Sequence, residues 1–209
     1  MSGPLVAVSE DPTAAYEQRL PTSRPPGIRL STLRHAWFRL DREPPETWSW
    51  HPYAAPRSRF DSPTATCRVR YAGDAKRVAM RERFDESRRV VTAAQLRLHL
   101  VELSGTIRVV DLRRDGTLDA LGLDDQINTS RAPGVWAACH RLADLVHEWF
   151  GERCDGIVYR ARTTPQSSAN LAFFAHAPLT AASLGTLIEQ PDLLARSLVS
   201  DGFAIQGWR

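Results

Sequence analysis

The chain has 209 residues, of which 43% are hydrophobic and 24% are charged, and this composition predicts one folded domain rather than global disorder. The formal net charge is +3, but 26 of the 27 basic residues are arginines interspersed with 24 acids, so the sequence does not indicate the cationic face of a nucleic-acid-binding protein. No apolar run approaches the roughly 18 residues of a membrane span, and the N-terminus lacks the pattern of a secretion signal. We therefore expect a cytoplasmic protein with no membrane contact.

Cysteine and histidine are too dispersed to indicate a metal site or a disulfide framework. The three cysteines, Cys67, Cys139 and Cys154, are odd in number and form no C-x-x-C pair. His140 and His147 are two helical turns apart, which is too far for them to share a metal ion. We expect no metal and no bound cofactor.

The first thirty residues differ in character from the rest of the chain. Residues 1–30 contain five prolines and show little periodicity. This pattern predicts an extended N-terminal arm, followed by one domain over residues 31–209.

Two strands and a long loop are expected next. Residues 35–40 alternate as a short strand, in which Arg39 shares a face with Trp37. Residues 41–63 contain five prolines and several aromatic residues, and a loop of that length is typical of a functional segment. The strand at 66–72 alternates again, with Tyr71 on its inward face.

The rest of the chain alternates irregularly between strands and helices and includes a hairpin. The clearest element is a helix at 133–150, with a proline in its first turn, a glycine after its end and apolar residues at 3.6-residue spacing. Further strands are expected at 95–103 and 106–112, joined by Ser104-Gly105, and at 155–160 and 169–175, with short helices around Pro191. This order predicts an α+β domain with a mixed sheet.

Glu82 is the most informative single residue. A helix is expected from Ala75 to about Glu86, and Glu82 occupies the next position of the apolar stripe that Val78 and Ala79 begin. The positions three and four residues away hold no cation, so an ion pair along the helix is excluded.

A carboxylate at the edge of the core needs a partner, because burying it alone is costly. The candidates are Arg39 and Arg59, which lie on the preceding strand and loop. Two plainer alternatives remain open for Glu82, namely a structural ion pair and a place at the solvated edge of the stripe.

The other candidates also have structural alternatives. Arg39 either extends its head group to solvent or is held by an acid, and Arg59 by itself is an ordinary loop arginine. Tyr71 also fits a core tyrosine with a bonded hydroxyl. Together with Glu82, they form a set of cation, phenol and carboxylate on adjacent elements.

The motifs that carry these residues resemble those of the RES domain family. The resemblance covers roughly residues 33–175. It rests on FRL with Arg39, SRFD with Arg59, VRYAGDAKRVAMRE with Tyr71 and Glu82, and then CDGIVYRAR and NLAFF.

This resemblance implies an ADP-ribosyltransferase-like fold and an enzyme that consumes NAD by breaking the nicotinamide–ribose bond, by hydrolysis or by phosphorolysis. NAD is then a substrate, and inorganic phosphate is a co-substrate if the bond is broken by phosphorolysis. Glu82 would stabilise the positive charge that develops on the ribose. Arg39 and Arg59 would hold the pyrophosphate or the phosphate, and Tyr71 would contact the nicotinamide ribose.

One position departs from the family pattern. The serine of the family corresponds to Ala161, whose side chain has no hydrogen-bonding group. Either a nearby hydroxyl, such as that of Thr163, Thr164, Ser167 or Ser168, replaces it, or catalysis is reduced or lost.

The resemblance also implies a partner. RES proteins are toxins that are neutralised by a DNA-binding antitoxin with a helix-turn-helix, and homodimers are an expectation for the family. Two alternative functions remain open, because a fold does not decide function. The chain could be an interaction protein with impaired catalysis, or an ADP-ribosyltransferase that modifies a macromolecule.

Overall fold

A computed structural model describes residues 15–50, 55–84, 89–164 and 167–206. The first fourteen residues of the predicted arm and the predicted end of the Glu82 helix at 85–86 lie outside these ranges.

The described residues form ten strands and five α-helices. The strands are β1 (Leu30–Arg34), β2 (Trp37–Asp41), β3 (Val69–Gly73), β4 (Val90–Thr92), β5 (His99–Ser104), β6 (Thr106–Asp111), β7 (Gly156–Arg160), β8 (Ala169–Phe174), β9 (Thr180–Thr186) and β10 (Ala204–Gln206). The helices are α1 (Lys76–Phe84), α2 (Asp115–Leu121), α3 (Gln126–Thr129), α4 (Pro133–Phe150) and α5 (Pro191–Ser200). Helix α4 has the predicted bounds, and α5 confirms a helix at Pro191.

The main sheet is mixed, which confirms the predicted α+β class. Its strand order is β1-β6-β7-β8-β3-β2-β5-β9, and a separate pair is formed by β10 and β4. Within the main sheet β6 and β7 run parallel, whereas the other neighbours are antiparallel.

The main sheet is curled, and its strand pairings form a closed ring. Strands β1 and β2 follow each other along the chain and run antiparallel to β6 and β5 in one continuous register, from Leu30 opposite Val110 to Asp41 opposite His99. The ladder then continues from β6 through β7, β8 and β3 back to β2. Strands β1 and β2 together form one long bent strand. It pairs with β6 at one end of this ladder and with β3 at the other, so the pairings form a closed ring.

The segments 95–103 and 106–112 do not form the hairpin that their sequence suggested. Strand β5 starts at His99, because Gln95–Arg97 forms a turn of 3₁₀-helix. Strands β5 and β6 do not pair with each other, since Gly105 bends one long strand instead of reversing it. A Cβ on Gly105 would lie 2.5 Å from the carbonyl oxygen of Pro178, so the bend requires glycine. A hairpin is formed instead by β7 and β8, which pair antiparallel.

The described part of the predicted arm packs on the domain. Tyr16, Leu20 and Ile28 are buried in the same core cluster as the apolar face of α4. The hydroxyl of Tyr16 also donates to Asp124 Oδ1 at 2.9 Å. Residues 15–30 thus close one side of the core.

Helix α1 is placed against β3 by a tight turn. A Cβ on Gly73 would lie 2.6 Å from Val78 Cγ1, so only glycine allows this approach. The helix buries Val78, Ala79, Met80 and Phe84. Glu82 is partly buried, at the border of this face rather than within it.

In the described ranges, no helix combines the length and the apolar character that a membrane crossing requires.

Candidate active site

A cavity of about 440 Å³ opens between β2, β3, α1 and the loop that precedes β3. Arg39, Arg59, Tyr71 and Glu82 all line it, so the four residues that the sequence singled out lie together. Ala161 does not line it. Its side chain is buried, and its backbone amide donates to the carbonyl of Ser168 at 2.9 Å.

The carboxylate of Glu82 accepts hydrogen bonds from Thr163. From the sequence, Thr163 was only one of several residues whose hydroxyl was considered as a replacement for the missing serine. Glu82 Oε1 accepts from Thr163 Oγ1 at 2.6 Å and from the Thr163 amide at 3.4 Å. The expectation that Arg39 or Arg59 meets this carboxylate is wrong, because both guanidinium groups are bonded to other groups. Glu82 nevertheless faces the same cavity as these arginines.

Arg39 is held by an acid on its own strand. Its Nη2 lies 2.5 Å from Asp41 Oδ2, and its Nη1 donates to the carbonyl of Tyr71 at 3.0 Å. Asp41 Oδ2 also accepts from Arg70 Nη1 at 2.9 Å, and the indole of Trp48 lies over both guanidinium groups. Burial lowers the pKa of Arg39, and Asp41 opposes this effect. Arg39 therefore enters the cavity in a fixed orientation instead of extending to solvent.

Arg59 is buried, and backbone carbonyls bind its guanidinium group. Its Nη1 donates to the carbonyl of Ile127 at 2.9 Å and its Nη2 to the carbonyl of Ser130 at 2.8 Å. These carbonyls lie at the C-terminal end of α3, where helix carbonyls favour a cation. The described residues form no salt bridge to Arg59. Arg59 also borders the cavity, where its charge is available to an anionic ligand.

Tyr71 has its hydroxyl engaged within the protein. The hydroxyl donates to Asp61 Oδ1 at 2.8 Å and accepts from the Phe60 amide at 2.9 Å. Burial and the neighbouring Asp61 raise the pKa of Tyr71 well above its ordinary value. This is the alternative of a core tyrosine with a bonded hydroxyl, although the residue also lines the cavity.

Two residues that line the cavity on β7 and β8, Tyr159 and Asn170, were not predicted from the sequence. Tyr159 pairs with Asn170 across these strands, and the side chain of Asn170 forms a hydrogen bond with it. The ring of Phe60 packs edge-on at 4.9 Å, and burial raises the pKa of Tyr159 above its ordinary value. Strand alternation in DGIVYR was the available signal, since it places Tyr159 and Ala161 on one face.

Arginine is the most frequent residue type in the cavity lining. Six arginines are present, namely Arg39, Arg57, Arg59, Arg83, Arg131 and Arg162. Glu82 is the one carboxylate among the described lining residues. No group of three or more potential metal ligands occurs in the part of the chain that the structure describes. The excess positive charge favours an anionic ligand, and arginine is suited to phosphate groups.

A curled mixed sheet beside an arginine-lined cavity defines an α+β domain that can hold a phosphate-bearing ligand. The model of the RES domain matches residues 14–192, so the chain belongs to the RES domain family, as its motifs indicated.

A solved structure shows the same fold. A chain of the crystal structure of the M. tuberculosis MbcT–MbcA toxin–antitoxin complex is similar to this one, with a TM-score of 0.50 and 18% sequence identity, over 88% of this chain and 98% of that chain. Comparison with curated proteins finds no match.

Proposed function

We propose that the chain is the toxin of a toxin–antitoxin pair and that it consumes NAD by breaking the nicotinamide–ribose bond. The observation that carries this proposal is the position of Glu82. Its carboxylate is held by hydrogen bonds beside a cavity whose other charged lining residues, among those described, are arginines. Family membership supports the same assignment.

The arrangement suits cleavage of an N-glycosidic bond. When the bond between ribose C1′ and the nicotinamide nitrogen breaks, its electron pair leaves with nicotinamide, and positive charge develops on the ribose. A fixed carboxylate stabilises that charge. Water or phosphate then bonds to C1′ and loses a proton. Glu82 is the catalytic residue of this proposal.

The arginines supply the binding of the dinucleotide. Arg59 presents a charge that is oriented by two carbonyls, and Arg39 is oriented by Asp41. Both are suited to the pyrophosphate, because a fixed guanidinium binds phosphate oxygens in pairs. Tyr71 contributes through its ring and by anchoring the loop that carries Arg59.

The partner is proposed from the fold comparison. The structure that shares this fold is a toxin–antitoxin complex. We propose that this chain likewise binds an antitoxin, of the helix-turn-helix type that the family implies, and that it forms a homodimer. We expect it to act in the cytoplasm, where its substrate is.

Ala161 is the observation that favours a second candidate. If the missing serine hydroxyl is essential, the chain is an interaction protein that retains the antitoxin-binding surface without catalysis. Transfer of ADP-ribose to a macromolecule is the third candidate, because it uses the same bond cleavage with a different acceptor.

An NAD-consumption assay with and without phosphate tests the proposal. We expect purified protein to release nicotinamide, and Glu82→Ala to abolish the release while the protein stays folded. Glu148→Ala is the matched control, because Glu148 is an exposed glutamate on α4. Unchanged NAD over hours would favour the interaction protein, and label transfer from NAD to protein or nucleic acid would favour the ADP-ribosyltransferase.

A further inference from the structure

Thr163 directs two donors at one carboxylate oxygen. Its hydroxyl lies 2.6 Å from Glu82 Oε1, and its backbone amide lies 3.4 Å from the same atom. The residue follows β7, in the loop that connects β7 to β8. A hydroxyl that donates to an ionised group forms a stronger hydrogen bond than a neutral pair does.

Among the described residues, Thr163 supplies the hydrogen bonds that orient the Glu82 carboxylate. On its own helix the residues one turn before it, Val78 and Ala79, are apolar and buried. Arg39 and Arg59 donate to Asp41 and to backbone carbonyls.

The loop that carries Thr163 is tied to the turn that starts α1. The amide of Ala169 donates to Asp74 Oδ2 at 2.8 Å, and the amide of Asp74 donates to the carbonyl of Ala169 at 3.0 Å. Across the base of the loop, the amide of Ala161 donates to the carbonyl of Ser168. The hydroxyl is therefore held beside the helix that bears Glu82.

We propose that Thr163 is the positioning residue of Glu82, and that it supplies the side-chain hydroxyl that position 161 lacks. The effect on catalysis rests on the proposed function, whereas the fixing of the carboxylate does not. Thr163 suits the role because its β-branched side chain restricts rotation about χ1, which limits the positions that the hydroxyl can take.

Substitutions separate this role from a loss of folding. Thr163→Val removes the hydroxyl and keeps the shape, and we expect kcat for NAD cleavage to fall by about ten- to a hundredfold with KM little changed, because the carboxylate acts on the transition state. Thr163→Ser keeps a hydroxyl at this position, so its kcat should be close to that of the wild type. Thr164→Val is the matched control, since the buried hydroxyl of Thr164 has no hydrogen-bond partner among the described residues. Equal effects at positions 163 and 164 would overturn the proposal.

Position 161 gives a second test. If Thr163 already serves Glu82, Ala161→Ser in the wild-type background should leave kcat unchanged. A large gain would mean that the missing serine is limiting and that Thr163 does not replace it.

A stability cycle tests the contact without activity. Urea unfolding of Thr163→Val, Glu82→Ala and the double variant should give midpoint shifts that are not additive, whereas Thr164→Val combined with Glu82→Ala should be additive. Additive shifts at position 163 would overturn the inference even if the wild type consumes NAD. Coupled shifts in a protein that leaves NAD intact would uphold the contact and reject the proposed function.

Discussion

The hydroxyl of Tyr71 lies 2.8 Å from Asp61 Oδ1 and donates its proton to that carboxylate. The other oxygen of Asp61 accepts from the amides of Arg57 and Ser58, at 2.9 and 2.8 Å. Tyr71 also accepts from the Phe60 amide. The loop that brings arginines to the cavity is therefore organised by one tyrosine on β3 and one buried aspartate.

Tyr71→Phe should lower the free energy of unfolding by about 1–3 kcal/mol, because it leaves one oxygen of the buried Asp61 without its donor. We also expect a higher KM for NAD, since the loop of Arg59 loses an anchor. Urea unfolding and initial-rate kinetics measure the two effects. Unchanged stability would show that the hydroxyl is replaceable by water.

Arg59→Lys should weaken binding of the pyrophosphate group. The lysine ammonium lacks the planar fork that reaches both Ile127 and Ser130, so its charge is not fixed at the cavity. We expect inorganic pyrophosphate to bind the variant about tenfold or more weakly in calorimetry. Arg141→Lys is the control, because Arg141 is an exposed residue of α4. Equal losses in the two variants would argue against a specific role for Arg59.

Gly73→Ala should reduce the rate of NAD cleavage, although Gly73 takes no part in the reaction itself. The added Cβ would lie 2.6 Å from Val78 Cγ1 and 3.0 Å from the Ala79 amide, so α1 has to shift and Glu82 moves with it. Displacement of a catalytic group by about 1 Å costs up to about a hundredfold in rate.

Gly116→Ala is the matched control for this substitution. A Cβ at Gly116 meets nothing within 4 Å, and the residue lies in α2. We expect this control to be as active as the wild type and slightly more stable, because alanine favours the helix. Full activity of Gly73→Ala would mean that α1 tolerates the shift.

The three buried cysteines predict a loss of stability at high pH. Burial raises the pKa of Cys67, Cys139 and Cys154 from 9.0 to about 11. Between these values the unfolded chain releases thiol protons that the folded chain keeps, so stability present below pH 9 should decline as the pH rises towards about 11. Urea unfolding at a series of pH values measures the decline, and thiol labelling of the native protein at pH 8 should be slow. Rapid labelling of all three would contradict the burial.

Much of the secondary structure and the convergence of the site followed from the sequence. The 3.6-residue spacing of α4 and the alternation of β7 and β8 identified these elements, because each records burial on one face. The family motifs also identified Arg39, Arg59, Tyr71 and Glu82, and these four residues line one cavity in the structure.

The pairing of side chains did not follow from the sequence. Thr163 and Glu82 are 81 positions apart, and nothing local marks them as partners. Arg59 is held by backbone carbonyls, which every residue carries, so no sequence pattern identifies the residues that bind it. The closed sheet was also missed, since alternation indicates a strand but not the strand beside it. The mostly exposed or half-buried β9 lacks a clear apolar face and was not expected.

The distance along the chain between Glu82 and Thr163 also affects how the site arises during synthesis. The carboxylate is made early, whereas the hydroxyl that orients it and the strand β8 that anchors its loop come from the last quarter of the described residues. A nascent or truncated chain that ends before this loop contains every arginine of the cavity except Arg162 and still has no oriented acid. On the proposed mechanism, the nascent chain therefore stays inactive until Thr163 and β8 have been synthesised.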